Sequence, residues 1–282
     1  MNHNLTIIKN AALENRLAHL LIFHGSGGLE RQKAFRELAL VLNCKGDNSP
    51  CRQCSACKKI LTGNHPDVHV VEPQKTSIGI EQIALLQQKL YRKPFEGKYR
   101  VCLIDEADKL TIAAANALLK VAEEPPEATI IVFSTSNAEG IIATLRSRAQ
   151  IVYLPPPKQE EWEIGTRDLY DLSGGDPDLA RSIEQIGVEK LTEWLQLYLK
   201  IIETGDFLQS FNLFPLEKEE SIVFLKALTV KIKQLVLSGE LTADYLAELR
   251  KTMAVIRRQV NHRLAIEVLM LKHIQLGGIK IG

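Results

Sequence analysis

The sequence predicts an α/β domain, a mostly parallel sheet with helices on both faces, followed by an all-helical remainder. Three observations point there. From the start to about Pro157, short apolar segments with few polar interruptions alternate with helical patterns, as expected of strands buried on both faces. Pro155, Pro156 and Pro157 then close that pattern, because a proline run neither continues a helix nor pairs in a sheet. Beyond them nearly every segment carries helical spacing.

The expected strands are Leu20–Phe23, Val68–Glu72, Arg100–Ile104, Thr129–Phe133 and Ile151–Leu154. The helices between them are Leu29–Asn43, Ile80–Tyr91 and Ile112–Ala122. A small helical unit, 158–205, is split by the turn Ser173-Gly174-Gly175-Asp176-Pro177, in which Asp176-Pro177 is placed to open the next helix. The rest, 206–282, is helical in pattern. Its stripe from Leu241 to His273, with Leu246, Leu249, Met253 and Ile256 spaced three and four apart, either closes an internal core or meets partner helices.

With 282 residues the chain exceeds the length at which one core usually splits, so two or three domains are expected. A net charge of +1 excludes a generally basic surface, leaving any nucleic-acid contact to a local patch. Arg92, Lys93, Lys98 and Arg100 around Pro94 form one such patch, equally readable as a solvated surface. The stretch Met1 to Asn15 is too polar for a signal peptide, and no apolar run approaches the roughly 18 residues of a membrane span. Four bunched cysteines without a secretory signal point to thiolate chemistry in a reducing compartment, so a cytoplasmic location is expected.

Those cysteines are Cys44, Cys51, Cys54 and Cys57. Two-residue spacers let neighbouring sulfurs converge on one ion, and four thiolates complete the shell of structural zinc without leaving a position for reacting water. Four free thiols or an iron–sulfur cluster are the alternatives, the latter with spacers out of the ferredoxin order. Cys102, in mid-strand, reads as a core residue.

The strand ending at Phe23 runs into His24-Gly25-Ser26-Gly27-Gly28-Leu29-Glu30-Arg31-Gln32 and then a helix. Strand, glycine-rich turn, helix is the setting of a phosphate loop. With Gly25 as first glycine, Glu30 falls at the last glycine, Arg31 at the lysine and Gln32 at the Ser/Thr. Glu30 brings a negative charge beside the phosphates, Arg31 replaces a compact ammonium by a planar fork, and Gln32 lacks the hydroxyl that holds magnesium. The glycines, Gly28 included, are also readable as purely structural. A second element, Val101-Cys102-Leu103-Ile104 leading to Asp105 and Glu106, has the form of a magnesium-binding and water-polarising pair; a solvated turn before an acidic helix start is the other reading.

The stretch from Ala113 to Pro126, AAANALLKVAEEPP, strongly resembles a signature of the bacterial DNA polymerase III clamp-loader subunits, members of the AAA+ superfamily. The resemblance continues through Thr135, at the sensor 1 position, and Thr144-Leu145-Arg146-Ser147-Arg148. The cysteines sit where this family carries zinc, between the phosphate-loop helix and His65-Pro66-Asp67. The resemblance covers roughly residues 1 to 187 by its motifs. It implies an AAA+ domain over 1–157 with a zinc module at 44–57, a helical lid over 158–205 and a helical collar over 206–282.

Within the family, the degenerate loop is similar to that of the delta-prime subfamily, and differs from the intact loop of the motor (gamma/tau) subfamily. The lid agrees, since the sensor 2 position holds Asp178, with Arg181 a weaker candidate. The family's arginine-finger motif reads Ser147-Arg148-Ala149, its cysteine missing and its arginine kept. The resemblance therefore implies a chain that does not hydrolyse ATP, with weak binding left open. It would lend Arg148 to a neighbouring ATPase as part of the DNA polymerase III holoenzyme, with Arg146 a rival for that role. The implied partners are the gamma/tau and delta subunits, the sliding clamp and primed DNA. The competing readings are an active motor ATPase and a zinc-dependent DNA-binding regulator.

Overall fold

The computed structural model describes residues 3–25, 27–210, 217–257 and 261–277; Ser26 of the glycine-rich turn and parts of the expected 206–282 domain lie outside the described residues. The chain divides into two compact units, residues 1–156 and 157–282.

The first unit opens with α1 (His3–Leu13), β1 (Leu20–Gly25), α2 (Gly28–Asn43) and α3 (Ser55–Leu61). It continues through β2 (Val68–Val71), α4 (Ile80–Leu90), β3 (Arg100–Ile104), α5 (Ile112–Glu123), β4 (Thr129–Thr135), α6 (Ala143–Arg146) and β5 (Gln150–Leu154). The strands form one wholly parallel sheet in the order β2-β3-β4-β1-β5. Successive residues of a strand point to opposite faces, and each face here meets a helical layer. Leu21, Phe23, Val101, Leu103 and Val132 pack with α1, α2 and α3. Leu20, Ile22, Cys102, Ile104, Ile131 and Phe133 pack with α4, α5 and α6. That is why these strands are apolar at consecutive positions instead of alternating.

The second unit contains α7 (Arg167–Ser173), α8 (Pro177–Ile186), α9 (Val188–Thr204), α10 (Lys218–Leu237), α11 (Ala243–Arg257) and α12 (His262–Gln275). The Asp176 side chain accepts from the amides of Asp178 at 2.9 Å and Leu179 at 3.2 Å, opening α8 with Pro177 as its first residue. Leu249 and Ile256 are buried and Leu246 and Met253 pack against them, so the stripe after Leu241 closes an internal core. One apolar cluster joins Leu169, Ile183, Tyr198, Phe224, Leu249 and Leu269, so the segments on either side of residue 206 share it. Within it the Tyr198 hydroxyl lies 2.9 Å from His273 Nδ1, and His273 Nε2 lies 3.0 Å from the Tyr245 carbonyl oxygen. Burial lowers that imidazole to about 4, so it is neutral in the core at neutral pH. No helix among the described residues is long and apolar enough to cross a membrane.

Candidate functional site

In a parallel sheet the residues that follow each strand gather at one edge. Gly25 ends β1, Asp105 follows β3 and Thr135 ends β4, so the nucleotide-type residues of the sequence do meet there. What they touch is each other. Arg31 is buried at 5% exposure; its Nε donates to Ser134 Oγ at 2.9 Å and its Nη1 to the Gly25 carbonyl at 3.1 Å. Gln32 Nε2 donates to Asp105 Oδ2 at 2.7 Å, the amide nitrogen facing a carboxylate that can only accept. The other carboxylate oxygen takes the Glu106 amide at 3.0 Å. Burial, then the Arg31 charge, holds the His24 imidazole below its ordinary value.

The remaining positions are also engaged. Glu30, in the first turn of α2 behind Gly28, pairs with Lys33 at 2.7 Å. Glu106 stands in a left-handed conformation, φ 48°, and pairs with Lys109. The buried Thr135 hydroxyl donates to Asp108 Oδ1 at 2.5 Å and accepts from the Asn137 amide at 2.9 Å, fixing the turn after β4. Gly25 has φ 125°, and a Cβ there would lie 2.2 Å from the Leu154 carbonyl oxygen on β5, so only glycine fits.

Arg148 lies at the opposite edge, two residues before β5 begins. Its Nη2 donates to Glu123 Oε1 at 2.7 Å and its Nη1 to the Thr144 carbonyl at 2.8 Å, with the side chain 38% exposed. Arg146 is held separately, donating to Glu139 Oε2 at 2.6 Å. The 5 residues of β5 separate the two edges by roughly 16 Å. In the helical unit Asp178 and Arg181 both fall on α8, Arg181 exposed.

The cysteines converge. The Sγ atoms of Cys44, Cys51, Cys54 and Cys57 all lie within 4.8 Å of one another, close to the roughly 3.8 Å edges of a tetrahedron with metal–sulfur bonds of about 2.3 Å. Cys44 caps the end of α2, Cys54 caps the start of α3 and Cys57 is buried in its first turn. Backbone amides point at the sulfurs: Gly46 N and Cys51 N to Cys44 at 3.4 and 3.3 Å, and Cys54 N to Cys51 at 3.4 Å. The amides of Lys45 and Cys57 bring Cys54 down to about 6, while burial pushes Cys57 up to about 12. A cluster of thiols surrounded by amide donors suits thiolates around a cation. At Gly46 a Cβ would stand 3.0 Å from Cys51 Sγ, so the loop passes too close to the sulfurs for a larger residue to fit without a shift.

Residues 2–158, more than half of the chain, match the family model described as DNA polymerase III, delta subunit. The chain belongs to the DNA polymerase III delta-subunit family. The delta-prime subunit of DNA polymerase III from Bacillus subtilis (strain 168) is 34% identical over 168 residues, 58% of this chain and 51% of that protein. The delta-prime subunit from Yersinia pestis is 40% identical over 144 residues, 49% of this chain and 42% of that protein. The chain thus spans about half the length of the curated relatives it matches. In fold it resembles a DNA polymerase III gamma subunit-related protein from Thermotoga maritima, with a TM-score of 0.52 and 19% identity over 97% of this chain and 99% of that one.

In this member of the family, sequence reasoning misjudged one residue and missed another. Arg100, taken as part of a surface basic patch, is buried at 5% exposure. It donates to Asp67 Oδ1 at 3.2 Å and to the Lys93 carbonyl at 2.8 Å, and also bonds the carbonyls of Lys89 and Arg92. Asp67, wholly buried, accepts from the amides of Phe95, Glu96 and Gly97 at 2.6, 2.9 and 2.8 Å. Despite burial, these amides, with Arg100, hold its carboxyl at about 2. The pair pins both the donors and the acceptors of the loop between α4 and β3. His65-Pro66-Asp67 was the signal, used only as a landmark.

Proposed function

We propose that this chain works as a delta-prime subunit of a bacterial DNA polymerase III clamp loader, an AAA+-type subunit that does not turn over ATP and helps its neighbours place a sliding clamp on primed DNA. The observation that carries the reading is the 2.7 Å bond from Gln32 to Asp105. A side chain of the phosphate-loop helix takes the carboxylate oxygen that magnesium would need, and Arg31 is drawn down onto Ser134 beside it. A motor ATPase requires that carboxylate to face a metal and that cation to face phosphate; weak nucleotide binding through the loop's backbone is compatible with either.

Arg148 supports the second half of the reading. It sits a full strand length from its own chain's loop, where it cannot serve the phosphates there but can meet those of an adjacent subunit. The cysteine cluster is read as structural zinc, a closed shell that ties α3 to the end of α2. Residues 158–205 and 206–282 are read as lid and collar; Leu264, Val268 and Leu271, exposed on α12 and spaced four and three apart, offer an apolar stripe to a partner helix. The partners are the gamma/tau and delta subunits, the clamp and primed DNA, in the cytoplasm. The test is Arg148→Ala in the assembled complex. DNA-stimulated ATP turnover and clamp loading should fall by about 10³ with assembly and metal content unchanged, and Arg146→Ala should cost less. Normal turnover and loading with Arg148→Ala would reduce this chain to a scaffold.

A further inference from the structure

Two stretches far apart in the sequence, Glu123-Glu124-Pro125-Pro126 and Ser147-Arg148-Ala149, meet in space through the Arg148–Glu123 pair at 2.7 Å. We propose that Glu123 is a positioning residue for Arg148, setting the direction in which the guanidinium meets a phosphate bound by a neighbouring subunit. This rests on the reading of Arg148 given above.

Glu123 is the last residue of α5. The carbonyl end of a helix carries partial negative charge and favours cations in its last turn, as Lys120 supplies here. A carboxylate at that position runs against the local preference, and its contact lies outside the helix, on Arg148. The guanidinium is fixed at two points by two different elements, Nη2 by Glu123 and Nη1 by the Thr144 carbonyl of α6. Each contact uses one N–H, so three of the about five donors of an arginine stay available, among the described residues, for an incoming anion. The hold and the encounter are therefore compatible. A long side chain already confined to one direction loses less rotamer freedom when a phosphate arrives. Arg146 has its own carboxylate, Glu139, so Glu123 distinguishes between the two arginines of the motif. At 38% and 52% exposure the pair is within reach of an adjacent molecule.

The experiment compares the assembled complex carrying wild-type chain, Glu123→Ala, Glu123→Gln, Arg148→Ala and the Glu123→Ala/Arg148→Ala double variant, reading maximal ATP turnover, KM, assembly and thermal melting. Glu123→Ala should lower the maximal rate roughly tenfold, somewhat less than the ~10²-fold a 1 Å misplacement can cost, with KM, assembly and melting unchanged. Glu123→Gln keeps an acceptor oxygen and should recover most of the rate. Arg148→Ala should fall further, and the double variant should be no slower than Arg148→Ala alone. A normal rate for Glu123→Ala beside a depressed Arg148→Ala overturns the proposal. So does a rate above wild type, which would make the pair a restraint, or a loss that tracks melting or assembly. A normal rate for Arg148→Ala instead overturns the reading of the arginine itself.

Discussion

Asp67→Asn changes one atom in a wholly buried carboxylate of the sheet unit that accepts four donors. Each carboxylate oxygen accepts two donors: Oδ1 from Phe95 N and Arg100 Nη2, Oδ2 from Glu96 N and Gly97 N. An asparagine, in either orientation, turns its NH2 onto two donors and leaves the Arg100 charge without its counterion. Breaking a buried ion pair from one side costs about 3–5 kcal/mol, and a loss of that size lowers the melting temperature by roughly 6–20 °C in a unit of this length. The acid side gives a second signature. Lowering the carboxyl from 3.8 to about 2 contributes about 2 kcal/mol. Because the folded value is the lower one, that stability is complete above about pH 4 and is lost as pH falls through 2. The asparagine variant lacks this dependence, so the two melting curves should converge at low pH. Calorimetry from pH 7 down to pH 2 reads both effects. A variant within about 0.5 kcal/mol of wild type at pH 7 would refute the bonding described for this loop.

Metal analysis of protein purified without added zinc should find one zinc per chain, lost in Cys57→Ala and removed by chelator with partial unfolding of the first unit; native folding with no metal would exclude the zinc reading. The isolated chain should show no ATP turnover, and Asp105→Ala should change nothing. Hydrolysis abolished by that substitution would mean that Gln32 yields the carboxylate to magnesium.

The sheet was the most legible part of the sequence, because burial on both faces writes consecutive apolar letters and leaves little ambiguity about period. Its strand ends ran one or two residues short at Gly25, Thr135 and Gln150, where polar or small residues still pair in the ladder, and one residue long after Val71, where β2 stops before Glu72. α1 was invisible because its core contacts, Leu5, Ile8 and Ala12, are diluted by Asn, Thr and Lys on its other faces. α3 was masked by the cysteines, one of which is its cap. The candidate site was legible in its letters and not in its bonds. Glu30, Arg31 and Gln32 could be read as departures from a phosphate loop, but not that Arg31 would lie buried on Ser134 or that Gln32 would reach Asp105, 73 positions away. Arg100 went the same way. Charge in a sequence reads as surface until a buried partner is known, and Asp67 lies 33 positions away.

The close approach at Gly25 bears on how a glycine motif is read. That glycine is required by the β1–β5 pairing, where Leu154 leaves no room for a Cβ, and this requirement is indifferent to whether a nucleotide is ever bound. The positions of the lysine and hydroxyl are filled here by Arg31 and Gln32, which bond Ser134 and Asp105 and leave the steric demand at Gly25 unchanged. A glycine in such a turn therefore testifies to the pairing of two strands more than to an activity. In chains of this kind, the informative positions for retained function are those whose side chains have no structural duty in the folded protein.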